Sequence, residues 1–198
     1  MPTTSANYII LRKTPYHETS LILAGISCEH GRVDLLVKGA KKIGSKSLPA
    51  IDLFREINVN INPEKDGLQA IYSAELVSNF DNIALKKEAY LDACEISKFV
   101  LRNSHPSNPS PETYNAVKIA FQLLSEGNDL FCTPLVKLVY LAEHGLLPEL
   151  PEGQQKEAEL MSQLIGVAKG NNNLPDISKE YMDDINSWID SICKFNEL

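Results

Sequence analysis

The hydrophobic pattern of this chain changes period once, close to residue 80, and that switch limits the folds open to it. Up to Leu76, short apolar runs are separated by turn residues. The run Glu56-Ile57-Asn58-Val59-Asn60-Ile61-Asn62 alternates cleanly, as a half-buried strand does. From Ala84 onward the apolar residues take helical spacing, beginning with Leu85, Ala89, Ile96, Phe99 and Val100. Strands followed by helices make the chain α+β.

Five strands are expected: Tyr8 to Arg12, Ser20 to Cys28, Arg32 to Val37, Glu56 to Asn62 and Leu68 to Leu76. A turn containing Pro15 separates the first two. Glu29-His30-Gly31 is a tight connection in which Gly31 supplies positive φ. Pro63-Glu64-Lys65-Asp66-Gly67 is a hairpin turn. Five short strands in such a span predict a small Greek-key barrel of the OB type. The helices are expected from Ala84 to Asn103, from Glu112 to Ser125 with Gly127 closing it, and from Thr133-Pro134 to Gly145. Two more run from Glu157 to Lys169 and onward from the cap Ser178. Stripes such as Tyr181, Ile185, Trp188, Ile189 and Ile192 read as core. The boundary near Asn79–Asn82 gives a five-stranded OB-fold β-barrel over residues 1–80 and an all-α domain over residues 81–198.

Charge divides along the same boundary. The whole chain carries a net −7, yet residues 1–80 hold nine basic against eight acidic residues. The remainder holds ten against eighteen. A polyanion-facing surface therefore belongs to the N-terminal part. Its focus is Lys38 to Ser47, which holds four lysines, two glycines, two serines and no acid directly after the third strand. Charge alone admits either a nucleic-acid-binding loop or a loop that keeps the protein soluble. Arg12 and Arg32, on strands that neighbour one another in an OB-type barrel, add to Lys38, Lys41, Lys42 and Lys46 to form one positive face. Tyr8, Tyr16 and Tyr72 offer either base-stacking rings or core and rim packing, of which packing is the commoner fate.

Other function classes find no support in the residues. Phosphate-loop, dinucleotide, zinc-protease and nucleophile-elbow motifs are all absent. His17, His30, His105 and His144 are isolated, with His144 at a helix end where it faces carbonyl groups. Glu18 reads as a turn-stabilising carboxylate. Cys28, Cys94, Cys132 and Cys193 are scattered among apolar neighbours and read as buried free thiols, without a disulfide or a metal. No apolar run approaches the roughly 20 residues that span a bilayer. Met1 to Ser5 has neither a basic region nor an apolar one, so it reads as a short disordered leader, and a cytoplasmic location follows.

The run Leu11-Arg12, Tyr16-His17-Glu18-Thr19-Ser20-Leu21-Ile22, Cys28-Glu29-His30-Gly31-Arg32, Val37-Lys38-Gly39-Ala40-Lys41-Lys42, Lys46-Ser47 and Phe54 resembles the N-terminal domain of the RecO recombination mediators. A second stretch, Leu138 and then Glu143-His144-Gly145-Leu146-Leu147-Pro148-Glu149-Leu150, is similar to that family's element after a helix. The resemblance implies an OB-fold followed by a helical domain. It implies a non-enzymatic protein that binds single- and double-stranded DNA, anneals complementary strands and assists RecA loading in recombinational repair. The implied partners are RecR and single-strand-binding protein, with RecA indirectly. By position, Arg12, Arg32, Lys38, Lys41, Lys42 and Lys46 face the DNA. Many members carry a four-cysteine zinc element after the second stretch. Here Leu150-Pro151-Glu152-Gly153-Gln154-Gln155 has no cysteine, so zinc is not expected. Asp52-Leu53 stands where the family usually has Gln-Pro before Phe54, a local loop change. The alternative is a protein-interaction scaffold of the same ancestry with little DNA affinity, in keeping with the acidic helical half.

Overall fold

The computed structural model describes residues 3–40, 50–62, 67–128, 131–149, 155–170 and 178–198. The strands are β1 (Thr4–Tyr16), β2 (Ser20–Ser27), β3 (Gly31–Val37), β4 (Glu56–Ile61), β5 (Gln69–Ile71) and β6 (Glu75–Ser78). A 3-10 turn at Asp81–Leu85 leads to α1 (Lys87–Asn103), α2 (Pro111–Glu126), α3 (Cys132–Glu143), α4 (Gln155–Ala168) and α5 (Lys179–Phe195). The strands form one curled mixed sheet in the order β5-β3-β2-β1-β4-β6. Neighbours are antiparallel, apart from the parallel pair β3–β5. The curl brings the end of β4 beside β5, where the Asn62 amide donates to Gln69 Oε1 over 2.9 Å. This is an OB-like half-barrel followed by helices, the architecture that the hydrophobic pattern implies.

Two cores share the sheet. Inside the curl lie Tyr8, Ile10, Leu23, Val33, Leu35, Val37, Ile57, Val59 and Ile61. The Tyr8 ring lies over Gly25, where an added Cβ would fall 2.7 Å from the ring. The outer face is apolar at Ile9, Leu11, Ala24 and Ile26, and these join Phe54, Ala93, Ile96, Val117 and Phe121 in a core that runs on through the helices. Burial on both faces explains why β2 reads as a nearly continuous apolar run. Phe54 sits where the two parts meet, with its ring edge-on to Phe121 and Tyr90. Its φ is +61°, a left-handed backbone unusual for a bulky residue. Burial of the ring and the hydrogen bond from its amide to Ile10 O (2.9 Å) hold it there.

Polar contacts fasten the same seam. Glu56 at the start of β4 is buried, accepts from the Tyr114 hydroxyl at 2.9 Å and pairs with Lys118 Nζ at 2.8 Å, both on α2. Burial, with the Glu56 charge beside it, pushes the Tyr114 hydroxyl far up. Arg55 forks onto both carboxylate oxygens of Asp81 at 2.8 and 2.7 Å. The loop between α1 and α2 lies against the β2–β3 hairpin. There the Arg32 amide donates to His105 O (3.2 Å) and the Ser107 amide to His30 O (3.1 Å). Glu143, at the end of α3, accepts from the amides of Glu112 and Thr113, both at 2.9 Å, and so caps α2. That role is needed because Ser110, which precedes α2, makes no side-chain cap.

Several sequence expectations need correction. The chain is already in β1 at Thr4, paired with Ile61, so Thr4 and Ser5 are not a disordered leader. Pro15 lies inside β1 opposite Leu21, and the turn falls at His17–Thr19 instead. The β4 pairing of β1 ends at Ile9, which leaves an uncovered strand edge where a proline without an N–H is tolerated. The expected fifth strand is two strands, β5 and β6, separated at Tyr72–Ala74. Leu85 ends the 3-10 turn and is 80% exposed, so α1 starts only after an extended Lys86. The third helix starts at Cys132, one residue before Thr133, and Phe131 occupies its cap. Cys132 and Cys193 are buried, whereas Cys28 and Cys94 are half-buried. The expected hairpin turn at Pro63–Asp66, the cysteine-free segment at 150–154 and the polar loop after Gly170 lie outside the described residues.

Candidate nucleic-acid interface

The position of Arg12 is decided by a bulge. Along β1, Tyr8 and Ile10 point into the barrel, and plain alternation would send Arg12 in after them. The β1–β2 register instead skips a residue: Ile10 pairs with Gly25 and Arg12 with Ala24, which leaves Leu11 as the extra residue. A bulge of this kind reverses the side of every residue beyond it. Arg12, Thr14 and Tyr16 therefore share the outer face with Ala24, Ile22 and Ser20. The same face continues across β3 through Asp34, opposite Ala24, and Leu36, opposite Ile22.

The helices cover only the half of this face that carries Ile9 and Ile26. Toward the other end it is open. A depression there is lined by Tyr16, His17, Thr19, Ser20, Leu36, Lys38 and Gly39. Arg12 and Lys38 are exposed. Among the described residues neither has a hydrogen-bond or ion-pair partner.

The remaining expected residues are placed differently. Arg32 is on the outer face but at its covered end. Its Nη1 donates to Leu101 O at the end of α1 (2.9 Å), and its Nη2 lies 3.4 Å from Asp34. Its role is to fasten the barrel to α1, and it is not brought together with Arg12 and Lys38. Lys41, Lys42 and Lys46 lie outside the described residues. The other basic side chains described in this part are tied to acids, Lys13 to Asp52 and Arg55 to Asp81. Burial acts to raise the Asp52 carboxyl, but hydrogen bonds from Lys13 and the Leu53 amide outweigh it and leave Asp52 below the usual carboxylate range.

The three tyrosines separate sharply. Tyr8 is 1% exposed and its hydroxyl donates to Val33 O at 3.0 Å, so it is core. Burial and the nearby Asp34 push its ionisation up, against the weaker influence of Arg32 and Arg12. Tyr16 is 38% exposed and Tyr72 is 81% exposed. Sequence reasoning missed that Tyr72 and Lys38 follow paired residues. The signal is the parallel pairing of Val37 with Ile71, the last rung before Lys38 and Tyr72 leave their strands.

His144 stacks on Tyr140 with centroids 4.0 Å apart, and its Nδ1 lies 2.9 Å from Tyr140 O, at the carbonyl end of α3. The four cysteines stand on separate elements. Among the described residues no group of three or more His, Cys, Asp or Glu side chains is placed to hold a metal. Among the same residues no helix is long and apolar enough to cross a membrane.

Comparison with known proteins gives a consistent set of likenesses. Residues 1–80 match the family model described as "Recombination protein O N terminal". The DNA repair protein RecO of Bacillus subtilis is 27% identical over 150 residues, covering 74% of this chain and 58% of that protein. The protein of the same name from Alteromonas mediterranea is 26% identical over 152 residues, covering 76% of this chain and 64% of its own length. That of Levilactobacillus brevis is 29% identical over 145 residues, covering 72% and 55%. The chain thus spans roughly three fifths of the length of these relatives.

Proposed function

We propose, from the match of residues 1–80 to the RecO N-terminal family model and the likeness to RecO proteins, that this chain is a DNA-binding mediator of recombinational repair, acting in the cytoplasm. The observation that carries the reading is the open half of the outer sheet face. Arg12 and Lys38 stand there without partners among the described residues, at the root of a segment that adds Lys41, Lys42 and Lys46. Phosphate contacts of this kind neutralise charge and release counterions, and they bind without regard to sequence. Two strands held on one cationic face repel each other less, which favours annealing of complements. The helical part, acidic on balance, is the surface for protein partners, for which RecR and single-strand-binding protein are the candidates, with RecA loading as the outcome. No step in this mechanism asks for bond chemistry by the protein.

The test is an anisotropy titration with single-stranded and duplex DNA at several salt concentrations. Replacing Arg12 and Lys38 by Ala should weaken binding and lower the salt slope by about one for each phosphate that is no longer neutralised. Adding Lys41→Ala and Lys42→Ala should lower it further. Affinity and slope unchanged in the four-fold variant would remove this face from the function. No binding by the unmodified protein even at low salt would favour a protein-interaction scaffold.

A further inference from the structure

We propose that Tyr16 and Tyr72 are a pair of base-stacking residues on either side of Lys38, which makes this face selective for unpaired DNA strands. The inference rests on the DNA-binding reading above and adds to it the kind of strand preferred. Tyr16 closes β1 opposite Ser20 of β2. Leu21 pairs with Val37 of β3, and Val37 with Ile71 of β5. Those rungs are the last of their ladders, and Lys38 and Tyr72 are the residues that follow them at the ends of β3 and β5. Val37 and Ile71 are buried in the barrel core, whereas their successors Lys38 and Tyr72 are exposed, as Tyr16 is.

Tyr16 and Lys38 line one depression, two strand spacings or roughly 10 Å apart, and Tyr72 follows the last rung of the strand beside Lys38. Arg12, four residues before Tyr16 on the same strand, stands about 13 Å along the face. Between them the surface is shallow and of mixed polarity, with Thr14, Ile22 and Leu36. The row thus offers two exposed aromatic rings, a cation between them and a second cation further along. That combination suits a flexible strand whose bases turn toward the sheet while its phosphates meet the cations. In a duplex the π-faces of the bases are covered by their stacked neighbours. The rings then find no partner, and only the charge contacts remain.

Among the described residues neither tyrosine hydroxyl makes a hydrogen bond. Tyr72 is 81% exposed, in the break between β5 and β6. Among the described residues the ring neighbour of Tyr16 is His17, edge-on with centroids 4.1 Å apart, and His17 itself has a left-handed backbone (φ +51°) at the turn. Exposed aromatic rings cost the fold solvation of apolar surface, and two in one row beside an unpaired lysine match an aromatic ligand of opposite charge. Described acids close to the row in sequence are Glu18, two residues after Tyr16, and the exposed Glu75, three residues after Tyr72, while Asp34 pairs with Arg32 at the covered end. They weaken the attraction for phosphate without blocking the rings.

The experiment compares Tyr16→Ala, Tyr72→Ala and both Tyr→Phe variants with the unmodified full chain. Each is titrated with oligo(dT) and with a blunt duplex of equal length. Both sites are exposed, so folding is preserved and is checked by circular dichroism. Each Ala variant should lose about tenfold or more for oligo(dT), the scale of one base–aromatic stack, and less than about threefold for the duplex. The Phe variants, which keep the ring, should bind as the unmodified protein does. Equal losses on both DNA forms, or no loss on oligo(dT), overturn the stacking role while leaving the charge-based reading intact. Failure of the unmodified protein to bind either DNA overturns both.

Discussion

Gly31→Ala should be one of the most damaging single-methyl additions in this protein, and the structure allows its cost to be worked out. Gly31 has φ +66°, where an L side chain costs about 1 kcal/mol. An added Cβ would fall 2.3 Å from Asn108 O and 2.6 Å from His105 O. Both are backbone atoms, so no side-chain rotation relieves the clash and the loop between α1 and α2 must move away. Its movement breaks the bonds Arg32 N to His105 O and Ser107 N to His30 O, each worth about 1 kcal/mol net. The sum is about 3 kcal/mol, or roughly 6–12 °C in Tm for a chain of this size. Gly145→Ala is the matched control, since Gly145 also has φ +66° but nothing lies within 4 Å of its Cβ position. That variant should lose only the conformational part, about 1 kcal/mol. Urea unfolding of both variants, at unchanged slope, measures the difference. Equal losses at the two positions would mean that the loop has slack, and that the hairpin is not docked on the helical half as described.

Two further predictions test the polar seam. Lys118→Ala removes the cation paired with the buried Glu56 carboxylate and leaves that charge with the Tyr114 hydroxyl. Lys118 is itself partly exposed, so urea unfolding should show a loss of about 1–3 kcal/mol; no loss would show that the seam does not depend on this pair. Asp52 adds a dependence on pH. Its folded pKa is lowered, so its contribution is present above the ordinary carboxylate range near 4 and fades as pH falls through the folded value. Asp52→Asn should therefore flatten the acid side of the stability profile, and an acid limb identical to that of the unmodified protein would refute the Lys13–Asp52 contact.

Much of the fold was legible because the two hydrophobic periods are clean. β4 alternates over its whole length, and the stripes of α4 and α5 meet the core at Leu164, Ala168, Ile189 and Ile192 as their spacing requires. Gly31 and Gly127 take the positive φ their positions ask for. What failed to show was anything set by a partner distant in sequence. The bulge at Leu11 leaves no local signature, since Ile9, Ile10 and Leu11 are all apolar and either face accepts them. Arg32 looks like any other strand arginine until Leu101, on α1, arrives to accept its hydrogen bond. The cap on α2 comes from Glu143, more than a helix away, so no capping motif precedes Pro111.

The same distant pairings change what the charge of the N-terminal part means. Its net of nine basic against eight acidic residues suggests a surface with almost no field. Yet the pairs Lys13–Asp52, Arg32–Asp34 and Arg55–Asp81 are short-range neutral units, and at physiological salt their residual fields fade within about 8 Å. Glu56 is buried against Lys118 and does not face solvent from the sheet. Once those groups are set aside, the open half of the outer face is represented by Arg12 and Lys38, with Glu18 as the acid near them at the turn. The cations joined in pairs hold the barrel to itself and to the helices, and those left over among the described residues, Arg12 and Lys38, lie where the helices do not reach. Reading the sequence by net charge averages the two populations together. Reading it by register separates them, and it is the Leu11 bulge, by turning Arg12 outward, that puts a second cation on the side where the lysine loop begins.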